Sequence, residues 1–410
     1  MSAPQQTGVS QQGPSRGLVV LFAVATGQAV ASNYLAQPLL ETIRQHFAIS
    51  AGLAGLIVTV SQVGYAAGLV LLLPLGDLFE RRRLLVTLAG VNVLLLALAG
   101  LAPSISLFMA AAGLIGFTSV MAQILVPFAA GLSPEAERGR VVGTVMSGLI
   151  LGILLARTAS GLIAQLAGWR AVYGVAAALM AVQMVVLARK LPTWRQRVGL
   201  SYPRLLASVP AIARAEPVLR WRAVFGALSF AAFSVLWTTL AFLLSGPHYG
   251  YGEATIGLFG LVGASGAAAA TFAGRLSDRG WRDRLTGASS LLLLVAYGFI
   301  WRGATSLGAL LVGIVVLDIG AQALHITNQG EIYRLQPDAR SRINAFYMVS
   351  CFVGAAAGSA GAAFAYSTGG WDGVCLLGAA CGLASLAWWA LGLIRGPQPA
   401  TARKGAAEAG

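Results

Sequence analysis

The sequence predicts an all-α membrane protein with twelve transmembrane helices in two pseudo-symmetric six-helix bundles. Three observations carry this prediction. First, 57% of the 410 residues are hydrophobic, about 234 side chains, and only 10% are charged. An ordinary soluble domain is about 25% charged. Each span consumes about 20 apolar residues, so this content fills roughly eleven or twelve spans and leaves little for a soluble core. Second, the basic residues fall on one side of the predicted spans. Third, sequence landmarks recur at an offset of 201 or 202 positions. Together these exclude a soluble enzyme, a disordered chain, a secreted disulfide scaffold and a sizeable extramembrane catalytic domain.

The elements follow in order. Residues 1–16 form a polar tail whose only charge is Arg16. Span 1 (17–40) is read as uncleaved, because no clear small-residue cleavage site follows its apolar run. Spans 2 to 6 are 52–73, 84–102, 107–130, 141–166 and 170–188, closing a first bundle over 17–188. A basic loop, 189–220, contains Pro192, Pro203, Pro210 and Pro217. It reads as a solvated linker, and the stretch 204–214 also has the pattern of a short amphipathic helix for an anionic leaflet. Spans 7 to 12 are 221–245, 254–273, 285–301, 306–329, 343–367 and 373–394, a second bundle over 221–394. A tail, 395–410, ends the chain.

Charge fixes the orientation. With the N-terminus cytoplasmic, 24 of the 28 Lys and Arg lie in cytoplasmic segments and 3 (Arg44, Arg170 and Arg302) lie outside. That bias is the expected one for cytoplasmic loops and places both termini inside. The net charge of +14 is therefore topology rather than a nucleic-acid footprint. Arg outnumbers Lys 26 to 2, with abundant Ala and Gly, which fits a GC-rich bacterial genome and hence a bacterial inner membrane.

The repeat is visible at three places. Pro134 to Arg140 resembles Pro337 to Arg342, Gly168-Trp169-Arg170 recurs as Gly370-Trp371-Asp372, and Asp77 recurs as Asp278. Parallel repeats of this kind are a transporter architecture, in which two rocking halves expose a midplane site to each side in turn.

The turn Pro74-Leu75-Gly76-Asp77-Leu78-Phe79-Glu80-Arg81-Arg82-Arg83 is similar to the loop 2–3 signature of the major facilitator superfamily, with Leu73 and Glu80 where glycines are usual. Its second-half copy is Gly274-Arg275-Leu276-Ser277-Asp278-Arg279-Gly280. Span 5 carries Gly148, Gly152 and Ala156 to Gly161, similar to the glycine motif of that family's proton antiporters, with Arg157 in the place of a proline. Asn33 to Leu40 resembles one bacterial drug:proton-antiporter-like subgroup. The resemblance spans nearly the whole chain. It implies secondary transport of a small drug-like or metabolite molecule by rocker-switch alternating access, proton-coupled and outward. A passive facilitator, or a proton-symport importer of a metabolite or organic anion, is the alternative on the same fold. A functional monomer in the bilayer is expected, with a small-molecule substrate, protons and no cofactor.

Candidate residues follow from cost. A charge at a helix centre costs about 2.5–3.5 kcal/mol on insertion scales, so such residues face a cavity or a partner. Three groups are read as deep in spans: Arg157, Asp318 and His325. At about 100° per residue, Asp318, Gln322, His325 and Gln329 share an arc of roughly 60° on span 10. A carboxylate and an imidazole on one polar stripe are suited to carrying protons. Arg157 has three roles open to it: ligand for a carboxylate or phosphate, partner of Asp318, or packing residue. Asn33, Gln37 and Gln123 are candidate substrate-binding polar groups beside Arg157, Gln322 and His325. Asp77, Arg81, Arg82, Asp278 and Arg279 are candidate gate residues, pairing across the halves when one side is closed. The three cysteines show no metal or disulfide pattern. No Ser nucleophile with a nearby base and no nucleotide-binding loop is present, so no enzymatic role is expected.

Overall fold

Caps and breakers set where each helix begins and ends. In the computed structural model the described residues are 13–194, 201–336 and 339–395; five side chains of the helix Ala264–Asp278, among them that of Asp278, lie outside this set. Every regular element among the described residues is helical. Ser15, Ser50, Ser104 and Ser306 each accept a backbone N–H at a helix start, satisfying one of the orphan donors there. Glu80 does the same for span 3, accepting from Arg82 N and Arg83 N at 2.8 and 2.9 Å. The glutamate that replaces a motif glycine is thus the cap that starts the Arg-rich helix.

Span 1 departs from the continuous helix expected over 17–40. It runs as Arg16–Ala31, passes through turns to a 3₁₀ segment at Gln37–Leu39, and resumes as Leu40–His46. Pro38 lacks an N–H and disfavours helix at the residue before it. Spans 2 and 3 are Ala51–Leu71 and Arg81–Leu101. Span 4 is kinked, Ile105–Ser119 then Met121–Gly131. Span 5 is Glu135–Ala167, starting six residues earlier than expected, with Glu135 and Glu137 in its first turn where acids suit the helix dipole. Span 6 is Trp169–Lys190. In the second half, span 7 is Pro217–Leu244, span 8 is split into Glu253–Val262 and Ala264–Asp278, span 9 is Arg282–Arg302 and span 10 is Leu307–Ile332. Spans 11 and 12 form one helical run, Arg340–Arg395, broken only at Gly370.

Nine described helices are long and apolar enough on their own to cross a bilayer. Twelve spans result once the broken spans 1 and 8 are counted and the run Arg340–Arg395 is divided at Gly370. Gly168 and Gly370, equivalent in the repeat, both have positive φ, 83° and 58°. Each turns the chain sharply between two long helices with almost no loop, a conformation that disfavours any side chain. The tryptophan after each, Trp169 and Trp371, is buried beneath the corner.

The central segment carries a helix over the stretch 204–214 that has the amphipathic pattern. Tyr202–Ala215 is a helix that buries Leu205 and Ala213 and packs on spans 7 and 11. Large apolar side chains such as Leu94, Leu101, Leu166 and Leu376 are more than two-thirds exposed, as a lipid-facing surface requires.

Within the first half, span 1 packs on 5, span 2 on 4 and span 3 on 6. In the second, span 7 packs on 11, span 9 on 10 and 12, and span 8 on 10. The halves meet where span 2 lies on 11 and span 5 on the Glu253–Val262 segment of span 8. On the side opposite the Arg-rich loops the halves are tied together. Thr42 Oγ1 donates to Glu253 Oε1 at 2.6 Å, Ala254 N to Gln165 Oε1 at 3.2 Å and Thr158 Oγ1 to Gly257 O at 3.1 Å. Thr59 Oγ1 and Ser359 Oγ lie 2.5 Å apart between spans 2 and 11. Towards the Arg-rich side the Ala264–Asp278 segment of span 8 packs on spans 9 and 10.

Candidate substrate cavity between the halves

A cavity of about 190 Å³ lies between the two halves. Its wall includes Gln123 from span 4, Arg157 from span 5, and Asp318, Gln322, His325 and Gln329 from span 10. The span-10 stripe therefore opens onto one space, as its helical spacing requires. Tyr34, Gln62, Tyr65, Phe230, Phe233 and Phe352 supply the remaining aromatic and amide surface.

Arg157 is buried and held from several sides. Its Nε donates to Gln37 Oε1 at 2.8 Å. Its guanidinium carbon lies 3.8 Å from the Trp237 ring centroid, 5.3 Å from Tyr34 and 5.7 Å from Phe233. Cation–π contacts of this kind partly replace lost hydration. The break in span 1 is what brings Tyr34 and Gln37 to this height. One guanidinium nitrogen, Nη2, has no hydrogen-bond partner.

Asp318 faces the same space and is equally buried. Its Oδ1 has no hydrogen-bond partner. The Arg157–Asp318 pairing that the sequence left open is absent: the two charges interact through space, but no ion pair joins these two described side chains. The Trp237 indole N–H beside them is likewise without a partner.

Asn33 and Gln37 stand one layer behind the wall. Asn33 Nδ2 donates to Gln62 Oε1 at 3.4 Å, and Gln37 fixes Arg157. Gln123 Nε2 donates to Tyr65 Oη at 3.3 Å, and the Tyr65 ring stacks on Phe352 across the halves, centroids 4.1 Å apart.

From His325 a polar chain leads away from the cavity. His325 Nδ1 lies 3.1 Å from Tyr347 Oη, which also accepts from Asn328 Nδ2 at 3.4 Å. Arg222 Nη1 donates to Asn328 Oδ1 at 3.5 Å, and Arg222 pairs with Glu331 at 3.7 Å and Asp283 at 3.8 Å. Glu331 also meets Arg282 at 3.0 Å. Arg222, Glu331 and Arg282 line a second chamber of about 570 Å³ at the Arg-rich end. Sequence reasoning missed this chain. Arg222 sits at the start of span 7, where an arginine reads as a loop charge, and Asn328 falls off the stripe by helical phase.

Among the described side chains, the gate candidates make these contacts. Asp77 pairs with Arg81 of its own turn at 3.3 Å, and Arg81 Nε donates to Gly76 O at 3.0 Å. Arg82 donates to the Ala188 carbonyl of span 6. Arg279 is exposed, and the Asp278 side chain lies outside the described residues. Every ion pair between described side chains stays within one half.

Comparison with known proteins bears on what this cavity is for. The Major Facilitator Superfamily profile matches residues 22–334. The chain belongs to this superfamily. It is 51% identical over 376 residues to the uncharacterized transporter YgaY of Escherichia coli O157:H7, covering 92% of this chain and 95% of that one. At greater distance it is 23% identical to a probable sugar efflux transporter of Helicobacter pylori strain P12, over 90% of this chain and 93% of the relative. Its fold matches a crystal structure of a bacterial homologue of the human lysosomal transporter Spinster, inward-facing and unoccupied, with a TM-score of 0.73 at 14% identity, over 92% of this chain and 96% of that one. The protein is therefore an integral membrane transporter of the superfamily type, acting on a small substrate.

Proposed function

We propose that the protein is a proton-coupled secondary transporter that exports a small organic compound by alternating access. The bundles 17–188 and 221–394 rock about the central cavity while the tails 1–16 and 395–410 and the loop 189–220 stay cytoplasmic. The protein works as a monomer in a bacterial inner membrane. The observation that carries this reading is the placement of Asp318 and His325 on one helix face, both lining the space that Arg157 enters from the other half. A carboxylate and an imidazole are the side chains whose protonation the environment readily brings into the physiological range. The turns at Asp77, Arg81, Arg82, Asp278 and Arg279 serve as the gate, repairing their contacts across the halves when the cytoplasmic side closes.

The test is counterflow and proton movement in proteoliposomes with labelled sugars, amino acids, organic anions and cationic drugs. The reading expects one class to exchange and to drive, or respond to, a pH gradient. Exchange with no proton movement favours the second reading, a facilitator. Uptake accelerated by inward proton flow favours a symport importer. The observation behind these alternatives is Arg157 itself, a fixed cation where proton antiporters of the family resemble one another in having proline.

A further inference from the structure

We propose that the central cavity takes a small amphipathic zwitterion, a molecule carrying one carboxylate and one ammonium on an apolar body. The proposal rests on reading that cavity as the transport site, and narrows the substrate to a class.

The argument begins with charge. Arg157 and Asp318 are both buried, both line the cavity, and each keeps an unpartnered polar atom, Nη2 and Oδ1. A buried charge with unmet hydrogen-bonding capacity is costly and is normally paired or coordinated. These two have opposite sign and do not pair with each other. Of the protein groups beside them, the Trp237 indole N–H is still free to turn to Asp318, but as a neutral donor it supplies no counter-charge. Gln37 takes only Nε of Arg157, the faces of Tyr34, Phe233 and Trp237 pack on the guanidinium, and His325 is engaged by Tyr347. Gly263 faces Asp318 Oδ2, where an added Cβ would lie 2.9 Å away.

A ligand carboxylate completes Arg157 and a ligand ammonium completes Asp318, with charge-assisted bonds strengthened by the dry surroundings. The occupied cavity then stays neutral. An anion alone leaves Asp318 uncompensated, and a cation alone leaves Arg157 so. A neutral sugar offers hydroxyls to both and a counter-charge to neither. The rest of the wall, Phe230, Phe352, Met146, Leu149 and Ile153, is apolar and suits a hydrocarbon or aromatic side group. At about 190 Å³ the space is below the ~300 Å³ at which pockets for drug-sized molecules begin.

The experiment is calorimetric titration of the purified full-length protein with glycine, L-leucine and L-phenylalanine. L-leucine methyl ester (ammonium only), N-acetyl-L-leucine (carboxylate only) and D-xylose (neutral) are the controls. Leucine or phenylalanine is expected to bind at least about tenfold more tightly than either blocked derivative, the factor that follows from losing one charge-assisted bond. Asp318→Asn should lose leucine and keep N-acetyl-leucine, and Arg157→Gln should lose leucine and keep the ester. The wild-type series stands alone if either variant fails to fold. Binding by none of the three amino acids, equal binding of a blocked derivative, or tighter binding of xylose overturns the proposal. Zwitterion binding without counterflow removes the transport reading and keeps the ligand class; counterflow of a sugar or an organic anion without zwitterion binding does the reverse.

Discussion

Arg157 of span 5 and Asp318 of span 10 line the same buried cavity from opposite halves of the protein without forming an ion pair. Their separation still leaves them within electrostatic reach of each other. Removing either charge should therefore strand the other. In thermal unfolding of the purified protein, Arg157→Gln and Asp318→Asn should each lower Tm. The double variant should be less damaged than the sum, with a coupling of about 1 kcal/mol, within the range for interacting neighbours. Strict additivity would show that the two charges are independent.

Gln37 acts through Arg157. Its amide oxygen holds Nε at 2.8 Å from a layer behind the cavity wall. A hydrogen bond to a charged group contributes about 1.5–3 kcal/mol. Gln37→Ala should weaken apparent substrate affinity about tenfold, while Gln37→Glu supplies a competing carboxylate and should abolish transport without unfolding the protein. Initial-rate transport against concentration checks both; wild-type kinetics in Gln37→Ala would remove Gln37 from the site.

Thr59 Oγ1 and Ser359 Oγ are 2.5 Å apart across spans 2 and 11. Cysteines at these positions place their sulfurs close to disulfide reach, since S–S is about 2.05 Å. With Cys351, Cys375 and Cys381 replaced, Thr59→Cys with Ser359→Cys should crosslink on mild oxidation. If the halves must separate here, transport falls to the level of protein-free liposomes and returns with dithiothreitol. Full activity in the crosslinked form would rule out separation at this contact.

The tight interhelical contacts repeat in both halves. A Cβ on Gly152 would overlap the carbonyl of Gly27, and one on Gly354, 202 residues later, that of Ala227. Gly152→Ala and Gly354→Ala should each cost about 1–3 kcal/mol through overpacking. Gly174→Ala, where a Cβ meets nothing within 4 Å, should be neutral. Thermal unfolding by size-exclusion readout separates these outcomes.

Much of the fold was legible because membrane topology is written in composition. Apolar runs marked the spans, and the offset between Gly168 and Gly370 already held the two positive-φ corners. The span-10 stripe was legible because a single helix fixes the relative directions of Asp318, Gln322, His325 and Gln329. The break in span 1 was not, since Pro38 in an apolar run reads equally as a kink or an end. Nor was the His325–Tyr347–Asn328–Arg222 chain, which joins three helices. Helical phase says which residues share a face but not what faces them. The same limit leaves Arg157 with three roles in the sequence, and its neighbours Gln37 and Trp237 come from other helices.

The central claim is that a carboxylate in the cavity links substrate movement to protons. The direct measurement is substrate-dependent proton movement in proteoliposomes, wild type against Asp318→Asn, at matched protein incorporation. The account predicts proton movement in the wild type and its loss in Asp318→Asn, with counterflow retained for a carboxylate-only compound that the variant still binds. Unchanged proton movement in the variant would contradict it, and so would wild-type transport that is indifferent to a pH gradient.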